Sequence, residues 1–266
     1  MSRVIHRIAD PSGDEAGMRV AIMQPYLLPY IGYFQLIAAV DRFVIYDTVK
    51  YTKKGWINRN RFLRDGEAVT LTLPLARGAD ELDIRDRHVS AEFAPAKLCA
   101  QIAGAYRKSP FFAETMPLIE GILHHGSDNL FTHLHAGLTL TCAHLGIITP
   151  ILVASEIEGA TPLRRQDRVL DICSRLSATV YINPIGGTEL YDPADFAARG
   201  ITLRFLKARA HAYPQFGAPF VPWLSILDPL MFLGRDGVRE TLLDAFDLVG
   251  GLDAAVGELP PCIDAA

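Results

Sequence analysis

Six basic side chains, Lys50, Lys53, Lys54, Arg59, Arg61 and Arg64, crowd one short stretch of the chain, and no acid follows until Asp65. Trp56, Asn58 and Asn60 are interleaved with them. This mixture suits a polar anion. A guanidinium such as Arg59 can clamp a phosphate or carboxylate through two parallel hydrogen bonds, and Lys53 or Lys54 can neutralise a diphosphate as point charges. Trp56 offers a stacking face, and the Asn58 amide offers both a donor and an acceptor to a sugar or base. The same recipe serves single-stranded nucleic acid. The plainer account is a solvated basic loop with one anchored tryptophan.

Three more places gather polar groups where apolar runs stop. The segment Gln24-Pro-Tyr-Leu-Leu-Pro-Tyr-Ile-Gly-Tyr33 is stiffened by two prolines, and Gly32 permits close backbone approach. A helix opening there presents free N–H groups to a phosphate or carboxylate. Gln24 adds an amide and Tyr26 a ring for stacking; packed tyrosines in a rigid turn are the competing explanation. Asp47 closes the run Phe43-Val-Ile-Tyr46, so its carboxylate can serve as a general base, a hydroxyl acceptor or an indirect metal ligand, or simply hold a local turn. Tyr181-Ile-Asn-Pro-Ile-Gly-Gly-Thr-Glu-Leu-Tyr191 places Asn183, Gly186 and Gly187 after another apolar run. Such a loop can wrap a phosphate or saccharide, although it is neither a Gly-x-Gly-x-x-Gly nor a Walker loop.

Other groups carry less. His124, His125, His133, His135 and His144 are numerous, but His133 and His135 point to different sides of a helix and no His-Glu-x-x-His occurs, so no metal site is expected. Ser225 lacks a nucleophile elbow. Asp41 reads as the end of a helix. Thr161 with Arg164 and Arg165 reads as a helix start beside an anion, or as a cap with flanking charges. Cys99, Cys142, Cys173 and Cys262 lie far apart and read as buried thiols. The sequence names no cofactor.

The elements that must position these groups follow from periodicity. Residues 18–24 and 42–46 are short apolar runs of the kind that form buried strands, and Ile31, Phe34, Ile37 and Ala38 recur between them at helical spacing. Strand, helix, strand is a βαβ unit with parallel strands. Residues 68–75 alternate as a third strand, and 50–61 read as a loop. Residues 92–146 turn helical, with Pro110 starting a second helix and Asp128 capping a third that runs to Gly146. Strand signals return at 150–153, 179–182 and 201–206, with a helix over 164–176, and apolar helical segments over 223–233 and 236–248 close the fold. The predicted class is α/β: an open, mostly parallel sheet with flanking helices and a helical insertion or subdomain near 92–146. One such domain spans 18–250, with a flexible extension over 1–17, Met18 as an alternative start, and a loose tail over 251–266. Sheets of this class bind ligands outside the carboxyl ends of their strands. The ends at Gln24, Asp47 and Asn183 should therefore share one rim.

Composition narrows the function classes. The chain has 266 residues, 50% hydrophobic and 21% charged, with net charge −4 and a pI near 6.1. An acidic balance argues against a nucleic-acid partner and confines any anion site to a local patch. No apolar run has the length of a membrane span, and the first residues have no secretory pattern, so a cytoplasmic protein is expected.

Several of these blocks together resemble the WbqC-like protein family. Its members share a strand followed by Gln-Pro-x-Tyr-Leu-Pro-Trp-x-Gly-Tyr-Phe, then an Asp-x-Phe-Val strand, an Asp, and a Lys-rich Trp-x-Asn-Arg-Asn-Arg segment. Here these are Gln24 to Phe34, Asp41 to Val44, Asp47, and Lys53 to Arg61. Later matches are Arg164 to Cys173, Tyr181 to Gly187, Tyr213-Pro-x-Phe216 and Leu224-Ser-Ile-Leu-Asp-Pro-Leu, so the resemblance covers about 18–235. Departures are Tyr30 in place of Trp, an extra Leu in the Tyr-Leu-Leu-Pro turn, and Asn183-Pro. The resemblance implies a role in making O-antigen (lipopolysaccharide) and other bacterial surface polysaccharides. It points to a cytoplasmic transferase acting on a nucleotide-linked amino sugar, by acyl or aminoacyl transfer; on the residues themselves, Asp47 would be its base or hydroxyl-orienting group. Lys53, Lys54 and Arg59 would hold a diphosphate, Trp56 or Tyr26 would stack, and Gln24, Asn58 and Asn183 would read hydroxyls or amides. Two alternatives stand beside it. One is a nucleotidyl or adenylyl transferase in which Tyr30-Ile-Gly-Tyr33 replaces a His-x-Gly-His turn. The other is a non-catalytic binding protein, for single-stranded nucleic acid or within a biosynthetic complex. Oligomeric state is open.

Overall fold

The computed structural model describes residues 17–250 except 158, 160–162 and 164. Thr161, Arg164, Cys262, the expected tail and all of the expected N-terminal extension but Gly17 lie outside the described residues. In chain order the elements are β1 (Arg19–Met23), α1 (Ile31–Ala38), β2 (Arg42–Ile45), β3 (Arg59–Arg64), β4 (Glu67–Thr72), α2 (Pro95–Tyr106), α3 (Phe112–Leu123), α4 (Leu130–Leu145), β5 (Ile151–Val153), α5 (Ala154–Ile157), α6 (Arg165–Arg175), β6 (Val180–Pro184), α7 (Pro193–Ala197), β7 (Thr202–Ala208), α8 (Leu227–Thr241) and β8 (Phe246–Val249). Short 3-10 turns cover Ile84–Asp86 and Ile185–Leu190.

Six strands form one sheet in the order β5-β2-β1-β6-β7-β8, parallel throughout except for the antiparallel edge pair β7–β8. The chain starts in the middle, builds outward through β2 to β5, then returns to the other side of β1 and builds outward again. This is the doubly wound strand order, and its direction reverses between β1 and β6. Both faces of the sheet are covered, which is why its central strands read as unbroken apolar runs. Ala21, Phe43, Ile45 and Ile182 pack with α1, the α2–α4 layer and α8 on one face. Val20, Ile22, Val44, Tyr46 and Tyr181 pack with Val169, Leu170, Ile172 and Cys173 of α6 and Phe196 of α7 on the other. Cys99, Cys142 and Cys173 are buried free thiols, and burial pushes the last two up to about 12.

Several expectations are corrected. Residues 59–64 are not loop but strand: β3 pairs antiparallel with β4 as a separate two-stranded hairpin, from Arg59 opposite Thr72 to Arg64 opposite Glu67, across the turn Asp65-Gly66. The expected third strand of the main sheet is this hairpin's second arm. Asn129, not Asp128, caps α4; its Oδ1 accepts from the N–H of Thr132. Asp41 does more than end α1, for its carboxylate accepts the Arg19 N–H of β1 at 2.8 Å. The two expected helical segments, 223–233 and 236–248, are the two parts of α8, which is kinked between them at Gly234, whose φ of 69° is left-handed and whose missing Cβ makes room for the Phe111 ring. Residues 246–249 then form β8 on the sheet edge. No helix among the described residues is long and apolar enough to cross a membrane.

Candidate functional site

β1 and β6 are paired only at their amino ends. Arg19 aligns with Val180 and Val20 with Tyr181, and there the pairing stops. β1 stays paired with β2 as far as Met23–Ile45, and β6 with β7 as far as Pro184–Leu206. The two central strands therefore part toward their carboxyl ends, at the point where the winding reverses. A cavity of about 630 Å³ opens in that gap, within the range of roughly 300–1,000 Å³ found for small-molecule sites.

Its walls come from five places. Ile22, Met23 and Gln24 end β1; Tyr46, Thr48, Val49, Lys50 and Thr52 follow β2; Asn183 and Pro184 end β6; Gly187, Glu189, Leu190 and Tyr191 belong to the turn beyond; Leu163, Arg165, Gln166, Arg168 and Val169 come from the start of α6. Three cations, Lys50, Arg165 and Arg168, face one carboxylate, Glu189, among these residues. α6 precedes β6 and runs against the strands, so its N-terminus, where N–H groups have no partner within the helix, lies on the same rim. The polar groups are held. Arg168 Nη1 donates to the Thr48 carbonyl at 2.8 Å, and its guanidinium carbon lies 5.6 Å from the Tyr46 ring centre. Gln166 Nε2 donates to Asp195 at 2.5 Å, and its Oε1 accepts the Asp192 N–H at 2.6 Å. Tyr181, fully buried, donates to Asn183 Oδ1 at 3.2 Å and lies 3.3 Å from the Tyr191 hydroxyl. This fixes the Asn183 amide with its Nδ2 toward the Pro184 carbonyl, at 3.1 Å. A Cβ on Gly187 would fall 2.0 Å from that nitrogen, so the glycine is required for the close approach. Burial raises the Tyr181 and Tyr191 hydroxyls above the usual phenol value. Both therefore act as neutral hydrogen-bonding groups.

Of the residues nominated from sequence, Gln24, Asn183 and Gly187 line this cavity, while Asp47, Tyr26, Lys53, Lys54, Trp56, Asn58, Arg59 and Gly186 do not. Asp47 lies between two lining residues, Tyr46 and Thr48, but its own carboxylate accepts the Ser155 N–H at 3.0 Å and anchors the start of α5. Tyr26 is buried in the core beside Tyr33. Asn58 is consumed at both ends, by the Leu73 carbonyl and the Tyr51 hydroxyl. Lys53 pairs with Asp80 at 2.6 Å. Arg59 donates to the carbonyls of Gly55 and Lys54 and lies over Trp56. Gly186 is half-buried in the turn.

The start of α1 is also displaced from the cavity. Tyr30 and Ile31 line a separate pocket of about 60 Å³ instead. The connection Gln24–Tyr30 is long and is pinned elsewhere: Asn60 Nδ2 donates to the Leu27 and Leu28 carbonyls, Ser225 Oγ donates to Leu28, and the Ile226 N–H donates to Pro29. Gly32 accommodates the Tyr30 ring, 2.4 Å from where its Cβ would be. The polar groups of α6 are the least legible part of the site: the sequence marks Arg165 only as a flanking charge and does not single out Gln166 or Arg168. The available signal was positional: a helix that leads into β6 must start on the rim where β1 and β6 end.

No solved structure matches the chain at a significant level. A protein of Mycobacterium tuberculosis (strain ATCC 25618 / H37Rv), named "Uncharacterized protein Rv1507c", is 30% identical over 222 residues, covering 82% of this chain and 95% of that one. The sequence profile of the WbqC-like protein family matches residues 24–240, from the glutamine at the cavity wall to the body of α8. Spanning both halves of the sheet and the cavity between them, this match shows that the chain belongs to the WbqC-like protein family.

Proposed function

We propose that the protein is a cytoplasmic transferase of surface-polysaccharide biosynthesis that binds a nucleotide-linked amino sugar in the cavity between β1 and β6. The observation that carries this reading is the parting of those strands at the winding reversal, with amides on the strand ends and cations on the α6 rim. Arg165 and Arg168 hold the diphosphate with the N-terminal N–H groups of α6, and Lys50, already paired with Glu81 at 2.9 Å, adds its charge at the rim. Gln24 and Asn183 read hydroxyl or N-acyl groups of the sugar, and Tyr191 with Leu190 packs against the less polar part of the ligand. Family membership supports an enzymatic role of this kind. In this reading Asp47 is a positioning residue, because its carboxylate is engaged by Ser155.

A thermal-shift series with UDP-, dTDP- and CMP-linked sugars tests it. A ligand at a hundred times its Kd stabilises a native state by about 2.7 kcal/mol. For a domain of this size that corresponds to a rise of about 5–10 °C. The rise should be lost in Arg165→Ala, whose side chain is exposed at the cavity rim. Equal shifts in the variant and the parent would place the ligand elsewhere.

A further inference from the structure

We propose that the outer face of the β3–β4 hairpin is a second anion site, separate from the cavity, that binds a compact phosphate-bearing ligand at Arg59, Arg61 and Trp56. The proposal does not depend on the function assigned to the cavity. It starts from what the fold does to the basic stretch. Lys50 meets Glu81 at 2.9 Å and Lys53 meets Asp80 at 2.6 Å, acids brought from the segment before the 3-10 turn at Ile84. Arg64 lies 3.6 Å from Asp65. Among the described residues, Lys54, Arg59 and Arg61 have no carboxylate at ion-pair distance.

Arg59 and Arg61 are two apart on β3 and so face the same side. Their guanidinium carbons lie 5.5 and 5.3 Å from the centre of the Trp56 ring. Opposite them on β4 stand Thr72 and Thr70, both exposed. The face is therefore two guanidiniums on one indole beside two hydroxyls. Like charges gathered on one face repel, and an anion bound beside them relieves that repulsion. The forks are already ordered: Arg59 Nε donates to the Gly55 carbonyl at 2.9 Å, and Arg61 Nη2 to the Trp223 carbonyl at 3.3 Å. Each keeps further N–H groups for a ligand, and little side-chain entropy remains to be lost on binding. None of these residues lines the cavity. The net charge of −4 disfavours a long polyanion and favours a compact one.

The chain's two tryptophans, Trp56 and Trp223, both adjoin Arg61. Intrinsic fluorescence is therefore a direct readout. Pyrophosphate titrated into the full chain should give a saturable change in emission. Its affinity should fall about tenfold or more in Arg59→Gln/Arg61→Gln, as the loss of two charge-assisted contacts demands. Neither tryptophan lines the cavity, so the emission change should keep its affinity within about twofold in Arg165→Ala even as pyrophosphate also enters the cavity. Arg61→Lys keeps the charge without the fork; an intermediate loss there supports the site should the double variant fail to fold. Co-sedimentation with phosphatidylcholine vesicles, with and without phosphatidylglycerol, separates the sources. Binding that needs the anionic lipid and both arginines identifies a lipid headgroup, and a pyrophosphate response alone identifies a free phosphorylated ligand. No response in either arm overturns the proposal. So does a response that survives the double variant and disappears in Arg165→Ala, which would assign the anion to the cavity.

Discussion

Asp228 is the most demanding single residue in the molecule. Its carboxylate has no solvent exposure and accepts from Tyr106 Oη at 2.7 Å, Tyr213 Oη at 2.6 Å and Gln215 Nε2 at 2.7 Å. Burial raises its pKa despite three hydrogen bonds that act the other way. A folded value above the unfolded one means that its contribution is full below the ordinary carboxylate range and is lost as pH rises through the folded value. Asp228→Asn turns an amide N–H₂ toward these donors, so urea unfolding should show a loss on the order of 1–3 kcal/mol; unchanged stability would mean the network is dispensable. His133 behaves in the opposite sense. Burial, and then the neighbouring His125, lower it to about 4. Its contribution is full above about pH 6.5 and is lost as pH falls through that lowered value. His133→Phe should flatten the decline in stability between pH 7 and 4.5 measured by denaturant unfolding. A third change belongs to the cavity wall. Gly187→Ala should leave the fold intact by circular dichroism but weaken nucleotide-sugar binding about tenfold, because the new Cβ displaces the Asn183 amide.

At the scale of elements, the connection Gln24–Tyr30 shows why a site can be misplaced from sequence. Leu28 is buried at a positive φ of 43°, a conformation that leucine resists. It persists because Asn60 and Ser225 hold its carbonyl from β3 and from the start of α8. Asn60→Ala removes its bonds to the Leu27 and Leu28 carbonyls and should cost about 2 kcal/mol, read by denaturant unfolding together with faster proteolysis within 24–30; resistance equal to the parent would show that the turn holds itself. β1, β2, β5, β6, β7 and α6 were legible because buried parallel strands read as apolar runs and α6 alternates charge with Val169, Leu170 and Ile172. β3 was not legible. Its outer face is arginine and its inner face includes Asn60, so the period-two signal is hidden in a basic stretch. The edge strand Phe246-Asp-Leu-Val249 was lost for the same reason: a short, half-exposed strand has no pattern distinct from a helix end. The partners of Lys50 and Lys53 lie at Glu81 and Asp80, and no local rule relates those positions.

For the whole molecule, the doubly wound order explains why Gln24, Asn183, Lys50 and Arg165 meet although they come from four separate stretches. The sequence supplied the strand ends and the rule that they share a rim; the reversal between β1 and β6 selects which ends form the cavity. In the proposed function the anion-binding role for the substrate accordingly falls to α6 rather than to the hairpin arginines. The direct test is equilibrium titration calorimetry of the nucleotide-sugar that gives the largest thermal shift, with the parent chain, Arg165→Ala and Arg59→Gln/Arg61→Gln. The account predicts one saturating site whose affinity falls about tenfold or more in Arg165→Ala and is unchanged in the hairpin variant. Binding unaffected by Arg165→Ala and abolished by the hairpin changes would contradict it.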